Sequence, residues 1–278
     1  MTQRLTQILF LITILIWSCD PQQPKNYGKV DAKLFLSDSV RQPLVVAFGG
    51  SEGGNIYAHD ETKEVRELFL KNGFAFLSVG YFKSVNTPPE IDRIAISAIY
   101  DTIRTIANHP KIDKDRIALL GSSRGGELVL NIGSHYSDFS AIVAIAAPSF
   151  NLPSRFGWNS TSSWSFNDEE IPYARVSNNS LKKLRDGDFY GGISEMLKEN
   201  GTRAEGNIQT EKIDCPILFI SAKRDEVWPS TLMAEQMIER LKKNNFQYFY
   251  QHIPVDGNHA EPAKHFDLII DFLVNNMR

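Results

Sequence analysis

Ile117-Ala118-Leu119-Leu120-Gly121-Ser122-Ser123-Arg124-Gly125-Gly126-Glu127 runs from a short apolar segment through a glycine-flanked serine into a stretch, Gly125 to His135, that reads as helix. Strand, turn and helix in that order is the setting in which G-x-S-x-G forms a nucleophile elbow. Small residues are required at 121 and 125 because the turn is tight and strained. A side chain at either place would collide with the neighbouring strand or helix. The strain leaves Ser123 Oγ exposed at the helix N-terminus. By itself the pentapeptide also fits an ordinary Gly-rich turn, so its meaning depends on what surrounds it.

From residue 44 onward, short apolar runs alternate with longer helical patterns, the signature of βαβ units in a mostly parallel sheet covered by helices on both faces. Predicted strands are Leu44 to Phe48, Phe74 to Val79, Ile117 to Leu120, Ala141 to Ile145, Ile217 to Ser221 and Phe246 to Ile253, with one or two edge strands in residues 30–40. Ile91, Ile94, Ala95, Ala98, Ile99 and Ile103 recur at helical spacing after Pro88-Pro89-Glu90, and Asn72-Gly73 closes the preceding helix. Between the strands near 145 and 217 the alternation stops. The stretch from about 148 to 212 is too long for a simple crossover and carries Trp158, Trp164, Phe166, Tyr173, Phe189 and Tyr190. It reads as a cap over the site, its aromatics lining an acyl or leaving-group pocket, because ligands in such sheets bind beyond the carboxyl ends of the strands. A surface insertion whose aromatics pack only on one another is the other reading.

With 278 residues, 42% of them apolar, and a formal charge of −3, the chain can bury a large core. It has no basic stripe, which excludes nucleic acid as an expected partner. Neither C-x-x-C nor H-E-x-x-H occurs, so nothing calls for a metal or another cofactor.

Residues 1–18 are a different kind of sequence, with Arg4 in a polar start and an apolar stretch from Ile8 to Trp17. That stretch is shorter than the ~20 residues of a spanning helix and reads as a signal peptide. Ile16 is ill suited to the third position before an ordinary cut, whereas cleavage before Cys19 resembles a bacterial lipoprotein signal, with Cys19 as the lipidation site. An uncleaved or conventionally cleaved leader is the alternative. The expectation is an exported, membrane-anchored lipoprotein facing the periplasm or the cell exterior, touching the membrane only through its lipid. Residues 19–29 would be a tether and 30–278 the folded domain. Cys215, before Pro216 and an apolar run, reads as a buried thiol; with Cys19 lipidated it has no disulfide partner.

A serine hydroxyl needs an adjacent base, and the base needs an orienting carboxylate. In this arrangement they follow in chain order as Asp or Glu, then His, each on a loop after a later strand. Asp225 lies beyond the strand that ends at Ser221, and His259 beyond the last strand. Glu226 and, further off, Asp256 are rivals for the acid. His252 falls inside a strand, His265 inside a helix, and His59, His109 and His135 precede the expected place. The oxyanion of a tetrahedral intermediate needs donors, which the Arg124 amide and the Ser51 amide of Gly49-Gly50-Ser51-Glu52-Gly53-Gly54 are placed to provide. Arg124 and Glu127 either bind substrate or pair to hold elbow and insertion together.

Gly-Ser-Ser-Arg-Gly-Gly-Glu at 121–127, the Gly-Gly-Ser-Glu-Gly-Gly loop, Asp225 with Trp228-Pro229-Ser230, and Gly257-Asn258-His259 with Glu261-Pro262 resemble the catalytic domain of acyl-CoA thioesterases and bile acid-CoA:amino acid N-acyltransferases. The similarity runs over most of residues 40–278, including Trp164-Ser165-Phe166 and Ile171-Pro172-Tyr173. It implies an α/β-hydrolase fold, with Ser123 as nucleophile, Asp225 as orienting acid and His259 as general base. The N-acyltransferases commonly use Cys as nucleophile, so Ser123 favours attack by water over transfer to an amine. The expected activity is cleavage of a small-molecule acyl ester or thioester through an acyl-enzyme. Acyl transfer to a small amine or alcohol, and a non-catalytic binding role on the same scaffold, are the alternatives.

Overall fold

Uninterrupted apolar runs such as Leu44-Val45-Val46-Ala47-Phe48 form strands that must be covered on both faces, because successive side chains point to opposite sides. The computed structural model, which describes residues 22–38, 40–154, 161–200 and 206–277, contains such a sheet. The segment read as a signal peptide, Cys19 and Trp158 lie outside the described residues.

Strands β1 (Asp31–Phe35) and β2 (Gln42–Phe48) are followed by helix α1 (Lys63–Lys71) and β3 (Ala75–Gly80). β4 (Ile94–Ala95) leads directly into α2 (Ile96–Ala107), and β5 (Ile112–Ser122) into α3 (Arg124–His135). After β6 (Ala141–Ile145) come β7 (Trp164–Phe166), β8 (Glu169–Glu170), α4 (Asn178–Arg185) and α5 (Phe189–Asn200). The last part holds β9 (Ile217–Ala222), α6 (Ser230–Lys243), β10 (Tyr250–Val255) and α7 (Phe266–Asn276).

Seven strands make one sheet in the order β1-β3-β2-β5-β6-β9-β10, with β1 antiparallel and every other neighbouring pair parallel. Leu44, Val46, Phe48, Ile117 and Leu119 face a layer that includes Ile99, Leu128 and Met237 of α2, α3 and α6. Their alternates Val45, Ala47, Ala118 and Leu120 face Phe69, Ile269 and Leu273 of α1 and α7. Each such fully buried Val, Leu, Ile, Phe or Met side chain contributes about 1.5–3 kcal/mol. β3 lies on one side of β2 and β5 on the other, so strand order reverses at β2. The loops leaving the carboxyl ends of β2 and β5 therefore lie side by side, at the place where sheets of this type bind ligands.

Three boundaries differ from the sequence reading. Arg93 takes a φ of +47° and Ile94–Ala95 pair with Trp164–Ser165, so α2 begins at Ile96 although Ile91 is buried as the helical spacing suggested. Asn245 turns the chain with φ +52°, and Phe246 packs its ring on Tyr248 and Tyr250. The last strand consequently starts at Tyr250 rather than Phe246. The elbow strand extends back to Ile112, because Gln42 of β2 offers it a partner beyond the apolar run.

In the insertion, β4, β7 and β8 form a small second sheet, and α4 and α5 pack on each other over a separate core of Phe150, Leu152, Leu184, Met196, Trp228 and Met233. Trp164 is fully buried in the main core and donates its indole N–H to Glu127 Oε1 at 2.7 Å, so it is not a pocket wall. Phe166 leans on His135 and Tyr136, while Phe189 and Tyr190 stand half exposed. A buried indole needs a hydrogen-bond acceptor, and Glu127 draws Trp164 into the core. The segment read as a tether lies against the domain from Gln22 onward. Arg93 Nη2 donates to the Gln22 carbonyl at 2.7 Å, Asn26 to that of Thr87, and the Tyr27 hydroxyl meets Ser165 Oγ and Asp168 Oδ1.

Candidate active site

Ser123 stands at φ +56°, ψ −116°, a strained conformation for a residue with a side chain. The surroundings over-determine it: its N–H donates to the Ile145 carbonyl at 2.7 Å, and its own carbonyl accepts from Glu127. The two flanking glycines are dictated by space. A Cβ on Gly121 would lie 2.0 Å from the Gly125 carbonyl oxygen, and one on Gly125 would lie 2.4 Å from the Gly49 carbonyl oxygen. The second of these contacts ties the elbow to the loop after β2.

Asp225 follows β9 and is 7% exposed, with Oδ1 accepting the amides of Val227 and Trp228 at 2.9 and 3.1 Å. Burial acts to raise its carboxyl, but hydrogen bonds from His259, Ser230 and Trp228 and the His259 charge prevail and hold it below the usual range. His259, on the loop after β10, has Nδ1 2.9 and 2.8 Å from the two Asp225 oxygens. An ionised carboxylate only accepts, so Nδ1 carries the proton and Nε2 is left as an acceptor. That Nε2 lies 3.0 Å from Ser123 Oγ. The three side chains that the sequence pointed to are therefore in one hydrogen-bonded line, drawn from three loops at the same end of the sheet.

The rival acids sit elsewhere. Glu226 Oε2 accepts the backbone N–H of His259 at 2.9 Å, holding the loop that carries the imidazole. Asp256 makes an exposed pair with Arg224 at 3.4 Å. His252 puts Nε2 on Ser221 Oγ at 2.7 Å, and burial holds its imidazole below the usual range. The Trp228 ring meets the His259 ring edge-on at 4.7 Å and donates Nε1–H to the Ala146 carbonyl. Trp228 belongs also to the core of the insertion, so it joins that core to the imidazole.

Among the described residues the N–H groups of Ser51 and Arg124 donate to no acceptor, which leaves two donors open beside Ser123. Each donor of this kind is worth about 2.7–4 kcal/mol to an oxyanion. The Arg124 side chain does not enter this space. It is buried, pairs with Glu127 Oε2 at 2.7 Å, donates to Ser163 Oγ and lies over the Trp164 ring. Glu127 Oε1 also accepts the Leu152 amide at 2.8 Å. Burial pushes the Glu127 carboxyl up, against Arg124, Trp164 and Leu152, which favour its charge. Of the two roles weighed for this pair, the contacts are those of a bond between elbow and insertion.

Sequence reasoning missed the Glu226 anchor, the Trp228 bridge and the Glu52 carboxylate on Gly50 N–H, 2.8 Å away. For the first two no signal existed, since their partners are remote in sequence; for Glu52, lying between four glycines, the charge itself was the signal. Among the described residues no three His, Cys, Asp or Glu side chains are grouped as metal ligands. Cys215 is buried, which pushes its thiol up.

The family model described as BAAT / acyl-CoA thioester hydrolase C terminal matches residues 99–263. Acyl-coenzyme A thioesterase 1 of Homo sapiens is 25% identical over 225 residues, 80% of this chain and 49% of that protein. The mitochondrial acyl-coenzyme A thioesterase 2 of Mus musculus is 26% identical over 244 residues, 86% of this chain and 50% of that one. The chain thus spans about half the length of the curated relatives it matches. Among solved structures, a Pyrococcus furiosus esterase aligns with a TM-score of 0.57 at 13% identity, covering 90% of this chain and 94% of its own. An α/β-hydrolase from a Penicillium species aligns with a TM-score of 0.54 at 12% identity, covering 90% and 99%. At such identities the structural likeness speaks for the fold, and the family match, which spans more than half of the sequence, speaks for descent. The chain has the α/β-hydrolase fold and belongs to the BAAT / acyl-CoA thioester hydrolase C-terminal family.

Proposed function

We propose that this protein is a serine hydrolase that cleaves a carboxylic ester or thioester through an acyl-enzyme, with Ser123 as nucleophile, His259 as general base and Asp225 as the carboxylate that orients it. The observation that carries this reading is the line from Ser123 Oγ to His259 Nε2 at 3.0 Å and from His259 Nδ1 to Asp225 at 2.8 Å. As Ser123 Oγ attacks the carbonyl carbon, its proton passes to Nε2, and Asp225 stabilises the imidazolium. The Ser51 and Arg124 amides receive the oxyanion. The tetrahedral intermediate collapses as Nε2–H protonates the departing alcohol or thiol. Water then gives a proton to Nε2 as it attacks the acyl carbon, and the second tetrahedral intermediate collapses as Nε2–H returns that proton to Ser123 Oγ and the acid departs. Relatives named as acyl-coenzyme A thioesterases support an acyl thioester as substrate class. Hydrolysis of a graded panel of p-nitrophenyl esters and acyl-CoA thioesters, with Ser123→Ala alongside, tests the reading.

The imidazole must be uncharged to accept the serine proton. Asp225, held below the usual carboxylate range, stays ionised throughout the range in which histidine titrates. Protonation of the imidazole removes the base, so kcat/KM is expected to fall on acidification. A kcat/KM that stays unchanged as the medium is made acidic would remove His259 as the base.

The leader adds that the enzyme works outside the cytoplasm, lipid-anchored through Cys19. Metabolic labelling with a palmitate analogue is expected to mark the wild-type protein and spare Cys19→Ala. Equal labelling of the two sinks the anchor.

A further inference from the structure

The loop after β2 sets beside the nucleophile a carboxylate that has no counter-charge among the described residues. Glu52 Oε1 accepts the Gly50 N–H at 2.8 Å, which folds the side chain back over Gly49 and Gly50. The point where a Cβ on Gly50 would stand is 2.9 Å from Glu52 Oε2 and 3.0 Å from Ser123 Cβ. The same point on Gly49 is 2.9 Å from Glu52 Oε1. The carboxylate thus borders the space around Ser123, on the loop whose Ser51 amide is free to receive an oxyanion. Among the described residues no Lys, Arg or His stands within ion-pair distance of it. Lys83, which approaches the same loop at Gly53, holds its ammonium over the Phe82 ring, and Arg124 is committed to Glu127.

A negative charge here opposes the negative charge that develops on the carbonyl oxygen. A positive charge on the substrate would turn this cost into an advantage. The loop does not require it, since a glutamine would accept the same Gly50 N–H without a charge. The oxyanion belongs to the acyl carbon, so charge on the acyl group is what Glu52 meets in both half-reactions. We propose that Glu52 selects substrates by charge, favouring an acyl group that carries a cationic nitrogen within a few bonds of its carbonyl over neutral and anionic acyl groups. This rests on the serine hydrolase reading above and goes further by naming the acyl class.

The test compares p-nitrophenyl esters of matched length with hexanoyl, 4-(trimethylammonio)butyryl and 4-sulfobutyryl groups, using wild type, Glu52→Gln and Ser123→Ala. Wild type is expected to prefer the cationic ester. In Glu52→Gln the cation-to-anion ratio of kcat/KM should fall by about tenfold, and its dependence on ionic strength should flatten. Thermal unfolding should be unchanged, because the Gly50 hydrogen bond is kept. A ratio unaltered in Glu52→Gln, or a change of the same size for all three esters, would assign Glu52 to loop structure and overturn the proposal. Turnover that survives Ser123→Ala would instead remove the serine mechanism, and the charge selection with it, so the two failures are told apart by which variant reports them.

Discussion

Ser123→Ala is expected to lower kcat for ester and thioester hydrolysis by about 10⁴-fold or more while leaving the folded structure and its thermal unfolding intact. On the proposed mechanism, removing Oγ deletes the atom that would form the acyl-enzyme, and among the described residues no other side-chain hydroxyl is bonded to His259 Nε2. On that reading what survives is stabilisation by the Ser51 and Arg124 amides, acting on water-driven attack alone. Members of such a unit act together, so His259→Ala should cost about as much, and the double variant little more than either. Steady-state kinetics on the ester and thioester panel decides the point. Activity within tenfold of wild type would sink the mechanism. Alanine also relieves nothing at φ +56°, so no gain in stability is expected.

Glu127→Leu is expected to be the most destabilising single substitution among charged residues of this fold. Its carboxylate is fully buried and serves Arg124, the Trp164 indole and the Leu152 amide at once. Leucine leaves a buried guanidinium without its counter-charge and two buried N–H groups without an acceptor. Breaking a buried pair in this way costs about 3–5 kcal/mol, which for a chain of this size lowers Tm by roughly 10 °C. Glu127→Gln keeps an acceptor for Trp164 and Leu152 and should cost less. Arg124→Met combined with Glu127→Leu removes both charges and should recover part of the loss, because the surviving penalty is only that of the unmet donors. Urea or thermal denaturation of the four proteins measures this. A loss below about 1 kcal/mol for Glu127→Leu would mean that the pair does not hold the elbow to the insertion.

The sequence carried the central sheet because each core strand is a short apolar run bounded by turn residues. Ala141–Ile145 was placed to the residue, and Ile217–Ala222 to within one. It carried the three side chains of the candidate site because a strained serine turn and two later loops occur in a fixed chain order. Where it went astray, long-range pairing overrode local pattern. Ile94 and Ala95 have helical spacing, yet they lie in a strand because Trp164 and Ser165 reach them from the insertion. Phe246 to Phe249 look like strand, yet Asn245 turns the chain before them.

Periodicity and turn chemistry are local properties, and local properties were enough to specify a mostly parallel sheet covered by helices and the loops bearing Ser123, Asp225 and His259. The choice of Asp225 over the adjacent Glu226, the burial of Trp164 on Glu127 and the return of Glu52 over Gly50 were settled only in the folded chain. A hydrogen bond is decided by distances of a few tenths of an ångström between groups that packing, not sequence proximity, brings together.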